Sequence, residues 1–284
     1  MEKYNDQSWL GHQQLVDDNL DVSLAIRLAA LFGRSAPAPH SPLPPLWHWA
    51  FFQAPCSEAK LGEDGHPDDD GFLPPRAGRQ RMWASGDVVF HHPLLIGHPA
   101  RRISTLEDIE KKNGSNGELT FLRVSHEYFQ LDADGHISRE TAAISERQVL
   151  VYRTPAPAKT QRGSDPANAQ WQRRIEPTPV TLFRYSAATF NGHRIHYDTP
   201  YATEREGYPG LVVHGPLITT WMLDAFIDAN PQAQLRRLRY RGNRPLFSPT
   251  PFEVAGRIDA AGQASLWAAD DRGLAHQATL EFEA

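Results

Sequence analysis

Two histidines, an amide and a carboxylate crowd into eight residues near the middle of the second half, Asn191-Gly-His193-Arg194-Ile-His196-Tyr-Asp198, preceded by Arg184-Tyr-Ser-Ala-Ala-Thr-Phe. The stretch follows neither a helical nor a strand period, and irregular segments carried on a rigid scaffold are where sites gather. A histidine with an ordinary pKa near 6.5 can take and return a proton at neutral pH. About twenty residues on, Gly210-Leu-Val-Val-His214-Gly215-Pro216 runs into a predicted helix. Free N–H groups and the positive dipole end at such a start can hold a developing oxyanion. Taken singly, each motif also has a plain reading: a loop whose histidines cap backbone groups, and a tight turn.

The elements around these motifs must position them. Leu20, Leu24, Leu28, Leu31 and Phe32 recur at helical spacing, Asp17 and Asp18 stand at an N-cap and Gly33 can end the segment, which predicts a helix over 18–32. A proline-rich stretch, an aromatic segment over 46–52 and a loop over 62–79 follow, the last read as an ordinary surface loop, although its aromatic and charged residues could line a site. Strand signals dominate 83–153: Leu122, Val124, His126 and Tyr128 alternate with Arg123, Ser125 and Glu127, and Asp132-Ala-Asp-Gly135 makes a turn. The Pro/Ala/Gln/Arg/Ser composition of 154–178 predicts an interdomain linker. Beyond it come an extended segment over Val180–Tyr185, a helix over 216–228 stopped by Asn230-Pro231, and strands at about 235–243, 251–259, 264–269 and 274–283. Proline suits the first helical position because its missing N–H would be unpaired there. The order of elements predicts two similar α+β units, 1–153 and 179–284.

Composition bounds the partners. The 284 residues carry 29 Lys+Arg against 34 Asp+Glu, a net charge of −5, which gives no footprint for nucleic acid or an anionic membrane. Cys56 is the only cysteine, so neither a disulfide framework nor a Cys-rich metal site is expected. The thirteen histidines are scattered, without helical His-x-x-x-His pairs, and no metal is expected. The polar N-terminus lacks a signal peptide's apolar core, and no run of about 18 apolar residues occurs, so the expectation is a cytoplasmic protein.

The loop and the His-Gly helix start together resemble the MaoC-like (R)-specific enoyl-CoA hydratases and dehydratases. The version Tyr-Ser-Ala-x-Thr-Phe-Asn-x-His-Arg-Ile-His-Tyr-Asp resembles a branch that includes the itaconyl-CoA and mesaconyl-CoA hydratases and the mitochondrial-type 3-hydroxyacyl-thioester dehydratases. Leu43-Pro-Pro-Leu-Trp-His-Trp49, Gly71-Phe-Leu-Pro-Pro75, Arg81-Met-Trp83 and the strand around 119–127 extend the likeness to most of the chain. The resemblance implies a double hot-dog fold, two antiparallel sheets each wrapped on a central helix, in which the N-terminal unit is non-catalytic and helps form the acyl tunnel. It implies His196 as the catalytic histidine, Asp198 as the acidic residue after it and Gly215 as the oxyanion donor. Asn191 stands where the family at large has its catalytic aspartate, and His193 where the wider motif has asparagine.

The implied reaction is reversible hydration of an α,β-unsaturated acyl-CoA, most simply a branched dicarboxylyl-CoA, with no cofactor beyond the substrate's own CoA and a homodimer as a plausible assembly. An asparagine can position water but cannot accept its proton, so His196 is expected to cycle alone as base and acid, oriented by Asp198 or His193. Arg237, Arg239 and Arg241 share one face of a predicted strand that ends near Arg244, and some of these arginines are candidates for the carrier's phosphates; a solvated strand face is the alternative. Arg184 and Arg194 flank the loop and could hold a distal carboxylate by bidentate bonds. His193 and His214 complete the substrate-side set. A dehydratase of fatty-acid metabolism using CoA or acyl carrier protein, a hot-dog thioesterase and a non-catalytic acyl-binding module remain as alternatives.

Overall fold

A computed structural model of the chain describes residues 6–114, 117–154 and 162–283. Five strands of the first part are β1 (Gln13–Asp18), β2 (Gln80–Phe90), β3 (Ala100–Gly114), β4 (Gly117–Gln130) and β5 (Ile144–Arg153). Seven follow: β6 (Trp171–Ile175), β7 (Leu211–Val212), β8 (Gln234–Gly242), β9 (Phe247–Ser248), β10 (Phe252–Ala260), β11 (Gln263–Asp270) and β12 (Gly273–Glu283). Three helices, α1 (Val22–Phe32), α2 (Pro179–Ala188) and α3 (Gly215–Ala229), complete the regular elements. The two predicted sheets run on as one ten-stranded antiparallel sheet, in the order β1-β3-β4-β5-β2-β8-β12-β11-β10-β6; β7 and β9 pair separately. The halves meet edge to edge at β2 and β8, where Gly86 opposes Tyr240. A Cβ at Gly86 would collide with the Tyr240 hydroxyl, so glycine at this register lets the ring lie across the seam.

The helix α3 is apolar nearly all round, as suits a helix buried on every side. Leu217, Ile218, Trp221, Met222, Leu223 and Phe226 are buried, and the helix packs on β6, β10, β11 and β12. In the first half, α1 packs on α2 instead, and the sheet's inner face is met by the aromatic turn around Trp47–Ala50. Phe52 from that segment packs edge-on to Tyr128 of β4. No long helix fills that concavity among the described residues, and a cleft remains.

Three predicted elements are corrected. The first helix begins four residues late, because Asp21 rather than Asp18 caps it, accepting from Ser23 N at 2.6 Å. Asp18 is held elsewhere, by the N–H groups of Leu20 and Phe52, and residues 13–18 form the edge strand β1. The extended segment expected at Val180–Tyr185 is helical. Thr178 caps it and Pro179 opens it, the same proline signal that marks α3, and this outweighs a β-branched and aromatic run whose Leu182, Tyr185 and Ser186 share a buried helical face. The predicted linker is not all linker: residues 155–161 lie outside the described residues, but Trp171–Ile175 adds β6 to β10 at the far edge of the sheet.

One buried carboxylate ties the seam together. Glu146 on β5 accepts from Trp49 Nε1 (3.0 Å), His48 Nε2 (3.3 Å), Gln148 Nε2 (2.8 Å), Tyr128 Oη (3.2 Å) and, across the seam, Tyr240 Oη (3.1 Å). Burial pushes its pKa up, but the hydrogen bond and charge of His48, with His126 and Gln148, win and bring it down to about 2. Glu146→Ala strands these donors in the core and should cost about 3–5 kcal/mol, the range for breaking a buried charged network. A thermal melt should then fall by roughly 6–20 °C in a single transition that includes both halves, at about 2–4 °C per kcal/mol. An unchanged melting temperature, or two separated transitions, would contradict this view of the seam.

Candidate active site

The cleft has a volume of about 620 Å³ and is lined from both halves. The irregular loop after α2 brings its histidines to the cleft through the short 3₁₀ turn Arg194–His196. His196 is 7% exposed, and its Nδ1 lies 2.7 Å from the carbonyl oxygen of Val212 on β7. A carbonyl only accepts, so Nδ1 carries the proton and Nε2 keeps its lone pair. Burial pushes the His196 pKa down to about 4, against the Val212 bond that favours the charged form. The result is a neutral imidazole with a fixed tautomer.

The ring of His214 stacks on His196 at 3.6 Å between centroids, and its Nε2 meets Ser186 Oγ on α2 at 2.9 Å. His214 is fully buried, so its ring braces His196 from behind. Immediately after it, Gly215 opens α3, and its N–H has no acceptor among the described residues. A Cβ at Gly215 would stand 2.6 Å from Trp83 Cε3, so only glycine allows the helix start to lie against that indole. Trp83 stacks on Tyr240 (4.4 Å between centroids), and Trp49 packs edge-on against both rings, forming an aromatic wall. Asn191 also lines the cleft; its Oδ1 accepts from His193 N at 3.0 Å, leaving its amide Nδ2 without a partner among the described residues.

The loop over 62–79, read from sequence as surface, comes to this site. Gly65 packs on the backbone of Gly192, and Arg194 N donates to Asp64 O at 2.9 Å. Asp64, His66 and His193 thereby bring possible metal-ligand atoms within 4.8 Å of one another. Arg76 already donates to the Asp64 carboxylate, whose pKa is drawn well below the usual range by His66 and Arg76 despite its burial. Arg76 therefore competes with any cation for that oxygen. The ring of His66 lies 4.1 Å from that of His193, which in turn meets His196 edge-on at 5.4 Å. Burial holds His66 at about 4 and pushes His193 well below its ordinary value.

Several residues expected at the site face elsewhere. Asp198 does not orient His196: its Oδ2 accepts from Arg194 Nε and Nη2 (2.9 and 2.7 Å), and its Oδ1 caps the following turn through Tyr201 N. Val212 O does the orienting. Arg194 is used up by Asp198, by Glu63 O and by the Tyr201 ring, and Arg184 is exposed on α2 away from the cleft lining. Tyr240 points inward, so the strand's alternation turns Arg237, Arg239 and Arg241 to the outer face. There Arg237 and Arg239 pair with Asp87, and Arg241 lines a separate outer groove. Arg244 reaches the cleft lining, but Asp270 and the Gly273 and Leu274 carbonyls take its guanidinium.

The residues missed by sequence reasoning are Asp64 and His66, Trp49 and Trp83 as a wall, and Arg102, His126 and Glu146 on the sheet. For the last group a signal exists: His126 and Glu146 occupy inward positions of otherwise apolar alternation. Among the described residues no helix is long and apolar enough to cross a membrane.

A family model described as hydroxyacyl-thioester dehydratase type 2 matches residues 46–248. The chain is 40% identical over 255 residues to a mesaconyl-C(4)-CoA hydratase of Chloroflexus aurantiacus, covering 88% of each protein. It is 30% identical to the mitochondrial hydroxyacyl-thioester dehydratase type 2 of Schizosaccharomyces pombe, over 75% of this chain and 77% of that one. In fold it is similar to a MaoC-like dehydratase from Phytophthora capsici, with a TM-score of 0.70 at 12% identity, covering 98% of this chain and 97% of the other. The α+β hot-dog architecture stands, and the chain belongs to the hydroxyacyl-thioester dehydratase type 2 family, a hydro-lyase of acyl thioesters.

Proposed function

We propose that the protein adds water reversibly across the α,β double bond of a branched dicarboxylyl-CoA, itaconyl- or mesaconyl-CoA, with His196 as the base and acid. The observation that carries this reading is the His196–Val212 bond, which leaves the Nε2 lone pair in the same cleft as the free N–H of Gly215. In the hydration direction Nε2 takes a proton from water as the water oxygen bonds to Cβ. The π electrons move toward the thioester, whose oxygen is held as an enolate by Gly215 N–H. The proton on Nε2 then passes to Cα, the carbonyl reforms, and the sum is addition of H and OH. The Asn191 amide positions the water by donating to its oxygen, while the lone pair of Nε2 receives its proton. The reverse sequence is dehydration of a 3-hydroxyacyl thioester. It uses the same groups, and the fission-yeast relative is named for it.

The Gly215 donor is the kind of contact whose removal costs about 2.7–4 kcal/mol of transition-state stabilisation elsewhere. In this reading Trp83, which lies against Gly215, and Trp49 beside it form the wall along which the acyl chain packs.

Loss of enoyl absorbance on adding protein to mesaconyl-CoA or crotonyl-CoA, without release of free thiol, is the expected result; thiol release would point to a thioesterase. His196→Ala should lower kcat/KM by about 10²–10⁴-fold, the usual share of a general base, and activity within a few-fold of the parent would refute the assignment. Asn191→Asp, which puts an acceptor where Nδ2 donates to the water, should lower kcat, whereas activity retained or raised would show that position 191 places the water without needing the amide N–H. Because burial holds His196 near 4, the base stays unprotonated down to that value. The acid limb of kcat/KM should therefore inflect near pH 4. A limb near 6.5 would mean an unshifted histidine.

A further inference from the structure

The inner face of the first half's sheet carries a polar row that packing does not explain. Register places Gln14 opposite Ser104, Ser104 opposite His126 and His126 opposite Glu146, with Arg102 opposite Tyr128 in the next row. Polar groups are costly to bury unless each finds a partner. Most of these do: Ser104 Oγ lies 2.8 Å from His126 Nδ1, and Glu146 has its five donors. Arg102 is the exception. Its Nη2 donates to the neutral Gln14 Oε1 at 2.9 Å, its Nε is buried with no acceptor, and no carboxylate pairs with it among the described residues.

Arg102 lines the same cleft as His196 and Gly215. Arg244 is paired with Asp270 and Arg81 lies 4.0 Å from Asp70; Arg153, like Arg102, meets only a glutamine, Gln80, but its Nε is satisfied there, whereas that of Arg102 is buried without an acceptor. Glu146 is near but its charge is met by its own donors, so the guanidinium keeps an unspent charge and unspent N–H groups. A planar fork of that kind matches a carboxylate or a phosphate. Two features favour the acyl end over the carrier. The Arg102 region is walled by the buried His48, His126 and Tyr128, and the aromatic wall of Trp83, Tyr240 and Trp49 leads from Gly215 to the Glu146 network beside it.

We infer that Arg102 is a specificity-determining residue that binds the distal carboxylate of a dicarboxylyl thioester, with Gln14 holding its guanidinium in place. The inference rests on the hydratase reading for its orientation: thioester oxygen at Gly215, reacting carbons at His196, far end at Arg102. It assigns the substrate class to one side chain, because a neutral acyl chain of equal length would leave Arg102 as unpaired as it is now.

Succinyl-CoA and butyryl-CoA test this without turnover, since both are saturated four-carbon thioesters differing in a terminal carboxylate or methyl. By calorimetry the parent protein should bind succinyl-CoA about tenfold or more tightly than butyryl-CoA, the gain expected of hydrogen bonds to a charged group. Arg102→Met should erase that preference by weakening succinyl-CoA alone, and Arg102→Lys, which keeps the charge but loses the fork, should retain part of it. Equal weakening of both ligands would place the guanidinium on the carrier's phosphates and overturn the inference, as would a parent protein that does not distinguish them. Thermal melts of both variants identify any that fail to fold. Hydration of crotonyl-CoA by the parent reports separately on the reaction itself, so loss of the one reading is distinguishable from loss of the other.

Discussion

The hydroxyl of Tyr240 crosses from β8 to Glu146 on β5, over the glycine that β2 places opposite it. This contact braces the β2–β8 ladder that joins the two half-sheets and helps fix the floor on which the cleft stands. Trp49 hangs from the same carboxylate, and Trp83 stacks on the same tyrosine, so the aromatic wall inherits its position from one buried anion. Such an anion persists in an apolar interior only because donors surround it; with fewer, it would take up a proton or unfold its surroundings.

The histidine side of the cleft uses burial in the opposite sense. His66, His193, His196, His214 and His276 are all pushed to low pKa values by desolvation, which makes the site rich in neutral imidazole. Among them only His196 has its Nδ1 on a backbone carbonyl, and a single hydrogen bond therefore distinguishes the proposed base from a cluster of similar groups. An asparagine at position 191, where the resemblance implies an aspartate, is consistent with that economy. A carboxylate beside so many buried imidazoles would favour their charged forms, and a neutral amide does not.

Much of this was legible in the sequence. The helix α3 announced itself through its periodic apolar residues and Pro216, and β8, β10, β11 and β12 followed the expected runs to within a few residues. The His196 loop and the Gly215 helix start, read as one unit, do share a cleft. What stayed hidden depends on long-range packing. Strand alternation put Arg237, Arg239 and Arg241 on one face correctly, but only the position of α3 and Tyr240 decides that it is the outer face. Asp198 looked like a partner for His196 because it is two residues away; a 3₁₀ turn sends it instead to Arg194, four residues back. Asp64 and His66 reach the site from a loop more than a hundred residues upstream, which no local pattern reports. β6 is five residues of mostly polar sequence paired on one side only, too weak a signal to stand out from a linker.

The proposed reaction requires His196 as a neutral imidazole protonated on Nδ1, and ¹⁵N nuclear magnetic resonance of histidine-labelled protein, assigned against His196→Gln, observes that directly. At neutral pH the His196 resonances should report a proton on Nδ1 and a bare Nε2, with titration to the imidazolium only near pH 4. A proton on Nε2 at neutral pH, or titration near 6.5, would contradict it.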